Sequence, residues 1–340
     1  RKKLLVENRF NKYLLYAIGE IILVVIGILI ALQINNWNET RQKEEKLNVV
    51  YLEVQRELAL NIKKIDRAIN FYEKKDSIIY LILNNKLTKQ DYINNNTLGY
   101  VLEDFRTVEF QNKGYLNLNN NINLVPKKYK PILNKLSDLY ENLVPLLNIG
   151  KESFNNFMES YFAQLSNTKT WYVDYSYNGN HKNEAFLDYL TNNPFYKNKA
   201  YDYNIYYSNL FLSDIKINSV EAYKALVEIT GEKEGLDTSI YFQTTKDLKK
   251  YSGTFKITKT DKKYNKVKKS DILNFVTKND QLYLIFKEKE YPIYPHAENE
   301  FIFDNKDNAK VTFLLNKKNE VIGFQFFNAS YYTNWTKINN

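Results

Sequence analysis

Residues 13–34, YLLYAIGEIILVVIGILIALQI, form an apolar run that is unstable in water, and this run limits what the chain can fold into. Glu20 is the only charged residue among the nineteen residues 14–32. A helix of this length, at about 1.5 Å per residue, roughly crosses a hydrocarbon core of about 30 Å. The sequence therefore predicts a single membrane-spanning helix over residues 13–36.

The charges on either side of the run predict its orientation. Residues 1–12 contain five basic side chains and one acidic one, whereas residues 37–46 contain three of each. Flanks rich in Lys and Arg stay in the cytoplasm. We therefore predict a cytoplasmic basic flank at residues 1–12, an inner-membrane span, and a periplasmic location for the remainder. Three aromatic side chains suit the two membrane interfaces: Tyr13, Tyr16 and Trp37.

A cleaved signal peptide and a buried helix of a soluble protein are the two alternatives. The apolar part of a signal peptide covers about 7–15 residues and ends at a small-x-small cleavage site. The sequence Ala31-Leu32-Gln33 does not have that form. We favour an uncleaved signal-anchor.

Within the span, Glu20, Gly27 and Ala31 share one helical face. Small residues four apart, such as Gly27 and Ala31, let two helix backbones approach closely. A carboxyl inside a membrane is a candidate functional group. No second ionisable residue follows Glu20 through the span, so we expect helix packing or an oligomer contact here rather than proton transport.

Residues 13–39 resemble the signature of an uncharacterised family of single-span membrane proteins from flavobacteria and other Bacteroidota. The segment Phe110-Gln-Asn-Lys-Gly114-Tyr-Leu-Asn-Leu118 is similar to a recurring segment of the same family. The resemblance implies a location in a Gram-negative cell envelope. It supplies no catalytic residues.

The composition excludes several classes of site. The chain has no cysteine, so a disulfide, a thiolate nucleophile and a cysteine-based metal site are all excluded. The only histidines, His181 and His296, are far apart in sequence, and a zinc site would need carboxylates for most of its ligands. We expect no metal and no cofactor.

The net charge of +9 predicts a basic surface, which could bind nucleic acid, anionic lipid or acidic glycan. Lys is common along the whole chain, however, and the predicted topology keeps the chain away from nucleic acid. We therefore expect no nucleic-acid partner.

Residues 37–232 are predicted to form a periplasmic helical domain. Apolar residues from Leu47 to Tyr72 recur at spacings of four and three, and Val50, Leu60, Ile62 and Ile69 widen the stripe. A wide stripe favours packing in a bundle over a two-stranded coiled-coil stalk.

Prolines and glycines predict where the later helices begin, bend and end. Pro131 suits the start of a long helix, which Pro145 should kink. A further helix is predicted over residues 200–229, ended by Gly231.

The hydrophobic period changes to two after a linker at residues 233–247. Short alternating runs separated by turns predict a domain at residues 248–340, an antiparallel barrel of about eight strands. The runs lie at 254–258, 281–286, 301–303, 310–315, 321–326 and 332–338. The candidates for its interior are Phe255, Tyr283, Ile285, Phe301, Phe313 and Phe324. Their bulk favours a filled barrel, although a barrel of this size can hold a small apolar ligand.

The segments Tyr251-Ser-Gly253-Thr-Phe255 and Tyr294-Pro295-His296-Ala-Glu298-Asn-Glu-Phe301 resemble the lipocalin-like module of penicillin-binding-protein-like serine hydrolases. In those proteins the barrel is an accessory, and catalysis belongs to a separate domain.

Two segments match the S-x-x-K pattern of such hydrolases, Ser213-Asp-Ile-Lys216 and Ser166-Asn-Thr-Lys169. Tyr207-Ser-Asn209 lies before the first of them rather than after it, and no Lys-Thr-Gly follows. An all-helical region also lacks the sheet that positions these groups. We interpret the matches as chance and expect no enzyme.

The predicted fold class is therefore α+β multidomain, with a transmembrane helix, an all-α bundle and a C-terminal antiparallel barrel. The leading functional hypothesis is a non-enzymatic envelope protein, anchored in the lipid bilayer, that binds a protein partner, a peptide or a small apolar ligand. One alternative is a homo-oligomer or a subunit of a membrane complex that assembles through the span. A hydrolase ranks last.

Overall fold

A computed structural model of the chain describes residues 2–260, 271–303, 309–328 and 331–338, with backbone only at 2–11, 328 and 331. Of the predicted cytoplasmic flank, residues 1–12, the structure thus describes the backbone of residues 2–12 and the side chain of Lys12. A long N-terminal helix with an apolar start, further helices and a closed antiparallel barrel of eight strands confirm the predicted fold class.

Helix α1, Lys2–Leu83, runs through 82 residues without interruption. No proline occurs before Pro126, and the two glycines of α1, Gly19 and Gly27, lie in its apolar part. That part is exposed along its length, and α1 is the one described helix long and apolar enough to cross a membrane. The same helix is buried on one side from Leu47 onwards.

The other helices pack around the second half of α1. The most extensive contacts with α1 are made by α9, α3 and α8. The helices are α2 (Lys89–Asn94), α3 (Lys113–Asn120), α4 (Lys130–Ser137), α5 (Val144–Thr168), α6 (Tyr172–Ser176), α7 (Glu184–Asn192), α8 (Pro194–Ser208), α9 (Leu212–Thr230), α10 (Thr238–Tyr241) and α11 (Thr245–Leu248). Short 3-10 turns lie at Asn96–Leu98, Ile122–Leu124, Lys127–Tyr129 and Lys249–Tyr251.

The apolar stripe of α1 lies inside this bundle rather than along a separate stalk. Leu58, Ile62, Ile65 and Tyr72 are completely buried. Leu60, which the widened stripe included, is half exposed and points away from the core.

Directly before Pro145, where a kink was predicted, a π-helical segment, Asp138–Leu143, lies between α4 and α5. Proline donates no backbone hydrogen bond, and its ring collides with the carbonyl four residues earlier. A wider turn directly before Pro145 removes that collision, so the helix continues through the segment.

The single helix predicted over residues 200–229 is wrong, because the structure has two helices there, α8 and α9. Phe211, between them, has a left-handed backbone with φ of 52°. Gly150 of α5 lies against this turn, where a Cβ would come within 2.4 Å of the Asn209 carbonyl oxygen. The break between α8 and α9 therefore coincides with a tertiary contact from α5. The predicted end at Gly231 is confirmed by its left-handed C-cap.

The eight strands form a simple meander in which each pairs with the next, and β1 pairs with β8 to close the barrel. The strands are β1 (Gly253–Thr260), β2 (Ile272–Lys278), β3 (Gln281–Phe286), β4 (Lys289–Ala297), β5 (Glu300–Phe303), β6 (Lys310–Leu315), β7 (Val321–Asn328) and β8 (Tyr331–Lys337). Closure pairs every described strand on both sides.

Aromatic rings occupy the interior of the barrel. Phe255, Phe301, Phe313 and Phe324 are all at most 2 % exposed. Around them pack Tyr251, Phe275 and Trp335, with ring centroids about 5–6 Å apart. The described interior is therefore densely filled.

Two predicted interior residues, Tyr283 and Ile285, lie on the outer face instead. Leu282 and Leu284 of the same strand are the buried ones. Leu284 pairs with the inward-facing Phe275 of β2, and directly paired residues share a face. In the run QLYLIF nearly every residue is apolar, so the sequence leaves the phase of the alternation open.

Candidate functional site

A group of buried and partly buried ionisable residues lies where the barrel meets the helical bundle. We call it the seam. It consists of Asp66, Glu73 and Asp76 from α1, Lys216 from α9, His296 from β4, Glu300 from β5 and Lys310 from β6. Asp66 and Glu73 lie seven residues apart and Asp76 three further, so all three lie on the side of α1 nearest the barrel.

Lys216 connects the two domains, and only 1 % of it is exposed. Its Nζ lies 2.5 Å from Asp66 Oδ1 and donates to His296 Nδ1 at 2.6 Å. It also donates to the His296 carbonyl oxygen at 3.1 Å. On the far side of Asp66, the hydroxyl of Tyr241 donates to Oδ2 at 3.2 Å.

Lys216 determines the tautomer of His296. A lysine ammonium can only donate, so Nδ1 must accept and the ring proton lies on Nε2. Nε2 lies 3.6 Å from Glu73 Oε1. Burial, with Lys216 and Lys310 nearby, holds the pKa of His296 well below its usual value of 6.5. The ring is therefore neutral at pH 7.

Lys310 lies between two carboxylates. Its Nζ is 3.0 Å from Glu73 Oε2 and 3.2 Å from Glu300 Oε2. Burial acts to lower the pKa of Lys310, but Glu73 and Glu300 outweigh it and raise that pKa. Burial raises the pKa of Glu73, while Lys310 acts against this rise. The seam thus alternates in charge from Asp66 to Glu300.

Asp76 lies one helical turn beyond Glu73 and is 5 % exposed. Its Oδ1 accepts no hydrogen bond from any described residue. Burial raises the pKa of Asp76 to about 8, with Glu73 adding to the rise and Lys310 opposing it. Asp76 is therefore mostly protonated at pH 7.

Glu73, His296 and Glu300 each offer a ligand atom, and these atoms lie within 4.8 Å of one another. Lys310 already lies between the two carboxylates, however. The imidazole nitrogen that faces Glu73 also carries a proton, which a metal ligand must lose. The geometry suits an ion-pair chain better than a metal centre.

The candidate residues predicted within the span lie in the apolar part of α1, apart from the seam. Glu20, Gly27 and Ala31 are exposed on α1, and no described atom outside that helix lies within 4 Å of where a Gly27 Cβ would be. The predicted interface aromatics are also exposed: Tyr13, Tyr16 and Trp37.

The lysines of the two S-x-x-K matches contact groups other than the serines of those matches. The Lys216 ammonium is taken up by Asp66 and His296 of the seam. Lys169 instead lies over the ring of Tyr189, 5.2 Å from its centroid. The seam was not predicted from the sequence. The one signal for it there is a set of three acidic residues on one side of α1, where the other residues on that side are apolar.

Residues 20–99 match a family of unknown function (DUF6090). The matched part covers most of the apolar run and the rest of α1, and it ends shortly after α2. No characterised protein and no solved structure matches the chain. The apolar start of α1 is a candidate membrane anchor, and the matched family is one of unknown function.

Proposed function

We propose that this chain is a non-enzymatic, inner-membrane-anchored protein that holds its barrel as a platform for a protein partner in the periplasm. One observation carries the proposal, namely the continuity of α1. The helix that presents the apolar run is the same helix that forms the core of the bundle and supplies the acids of the seam. Anchor, bundle and barrel are thereby joined without a flexible linker at the membrane.

The filled barrel supports a partner in preference to a small apolar ligand. A lipocalin-like barrel that holds a ligand needs a cavity lined by apolar side chains. Here the rings of Phe255, Phe313 and Phe324 contact one another across the interior. A partner would therefore contact the outer surface of the barrel or bundle.

The proposed topology makes a direct prediction. Protease added to spheroplasts should digest the part after residue 43, because that part lies outside the cytoplasmic membrane. The remaining N-terminal fragment should stay with the membrane after a carbonate wash, because an apolar span of this length does not leave a bilayer. A cytoplasmic protein probed in the same sample is the control. Protection of the whole chain, or its release by carbonate, would contradict the proposal.

A second candidate, self-association through the span, is supported by the free face of α1. Leucine in place of Gly27 is expected to reduce the cross-linked dimer in native membranes several-fold, because its side chain keeps the two backbones apart. Gly19→Leu is the matched control, since Gly19 points about 100° away from the face formed by Glu20, Gly27 and Ala31. Its Cβ position also has no described atom outside its own helix within 4 Å. A monomer in every sample, or equal loss in both variants, would rule this candidate out.

A further inference from the structure

Asp76 is the seam carboxyl that has no lysine bound to it among the described residues. Lys216 is held by Asp66 and His296, and Lys310 by Glu73 and Glu300. The neighbouring Lys75 turns the other way, where its Nζ donates to the Val101 and Asp104 carbonyl oxygens at 2.6 and 2.9 Å. A buried carboxylate without a cation is costly, whereas a protonated carboxyl is tolerated.

We propose that Asp76 is a proton-binding switch: the barrel stays docked on α1 while this carboxyl is protonated, and undocks when the carboxyl releases its proton to solvent. The charge balance of the seam supports this reading. Asp66, Glu73 and Glu300 already outnumber the two lysines by one, so ionised Asp76 would add a second uncompensated charge.

The direction of the pH dependence follows from the two states of Asp76. Its pKa is about 8 when docked, and the ordinary value of 3.8 applies once the carboxyl is in water. Between these values the docked state holds one more proton, so rising pH favours release. The ratio of undocked to docked protein should increase up to about tenfold per pH unit, until pH passes about 8 and the ratio levels off.

The groups that face Asp76 leave this direction unchanged. Burial raises the pKa of Tyr203 and of Tyr207 on α8, so both hydroxyls stay neutral. Glu73 has a raised pKa and therefore acts in the same direction as Asp76. Lys310, whose pKa is also raised, stays charged.

Two further groups of the seam, His296 and Lys216, also affect the pH dependence of docking. In the docked state His296 is neutral over this range because its pKa is well below 6.5. In the undocked state the ordinary value of 6.5 applies, so a rise in pH up to about 6.5 favours docking through His296 and opposes Asp76. Burial lowers the pKa of Lys216, although Asp66 acts against it. Lys216 therefore loses its proton at a lower pH in the docked state than in water. Rising pH favours docking through Lys216, which opposes the effect of Asp76. A variant of Asp76 is needed to separate these contributions.

The test measures the distance between bundle and barrel in the full chain, reconstituted in lipid nanodiscs. The chain has no cysteine, so spin labels can be attached at Ser77→Cys on α1 and Ile322→Cys on β7, both exposed positions. Wild-type protein should show mainly one short distance at about pH 6.5 and a longer population that grows until pH passes about 8 and then persists to about pH 9, following the proton linkage.

Asp76→Asn is the decisive variant, because an amide of the same shape cannot ionise. It should stay docked at both pH values, whereas the control Asp188→Asn, at an exposed aspartate of α7, should undock as wild type does. Undocking of Asp76→Asn to the wild-type extent, or a wild type docked at every pH, would overturn the proposal.

Infrared spectroscopy and the addition of a chelator provide two further tests. The infrared band of a protonated carboxyl should be present in wild type at about pH 6.5 and vanish towards about pH 9. Its absence at the lower pH would overturn the proposal even if Asp76→Asn failed to fold. Undocking that occurs only when a chelator is added would also overturn it, since a metal ion rather than a proton would then neutralise Asp76.

Discussion

Alanine in place of Lys216 is expected to lower the free energy of unfolding by about 3–5 kcal/mol, because removal of one partner leaves buried charge unpaired. Asp66 would lose its cation and His296 Nδ1 its donor. The loss should appear in urea titrations of the full chain in detergent micelles, followed by tryptophan fluorescence. Lys216→Met should lose less, because it keeps most of the buried hydrocarbon chain and loses only the charge.

Lys224→Ala is the matched control for that experiment. Lys224 lies on the same helix, but it is partly exposed and pairs with Glu221 at 3.2 Å. Such a pair contributes about 1 kcal/mol or less. If both alanine variants lost equally little, the seam would not stabilise the contact between bundle and barrel.

Phe324→Ala is expected to destabilise the barrel by about 3–5 kcal/mol, the usual cost of removing a buried phenylalanine ring. Phe324 is completely buried, and its ring stacks on Trp335 with centroids 5.5 Å apart. It also contacts Phe255 and Phe275 edge-on. The change should move the urea midpoint of the barrel and alter the emission of Trp335, which senses the lost ring directly.

Ile322→Ala is the control on the same strand, since Ile322 is 48 % exposed and points outwards. A surface substitution of this kind changes stability by about 0.5 kcal/mol or less. An equal loss in the two variants would mean that the interior of the barrel is not packed as the ring geometry indicates.

Several features of the fold follow from patterns local in sequence. The apolar run, the stripe of α1 and the change to a period of two each depend on side chains a few residues apart. The C-cap at Gly231 is equally local, because only the residue at that position must adopt a left-handed backbone. The predicted fold class was confirmed for this reason.

Other features depend on residues that only folding brings together. The break at Phe211 accompanies close packing between Gly150 and the backbone of Asn209. The phase of β3 is decided by its pairing with β2, since Leu284 lies opposite Phe275. Neither contact leaves a periodic pattern in the strand or helix concerned.

By itself, then, the sequence determined the hydrophobic period of each region, and with it the candidate membrane span, the helical region and the barrel. The tertiary structure alone decided which charges meet. Lys216 and His296 are 80 residues apart, and in the sequence each resembles an ordinary surface side chain. Burial and proximity raise or lower the pKa of such groups, and both are properties of the folded chain rather than of any local run of residues.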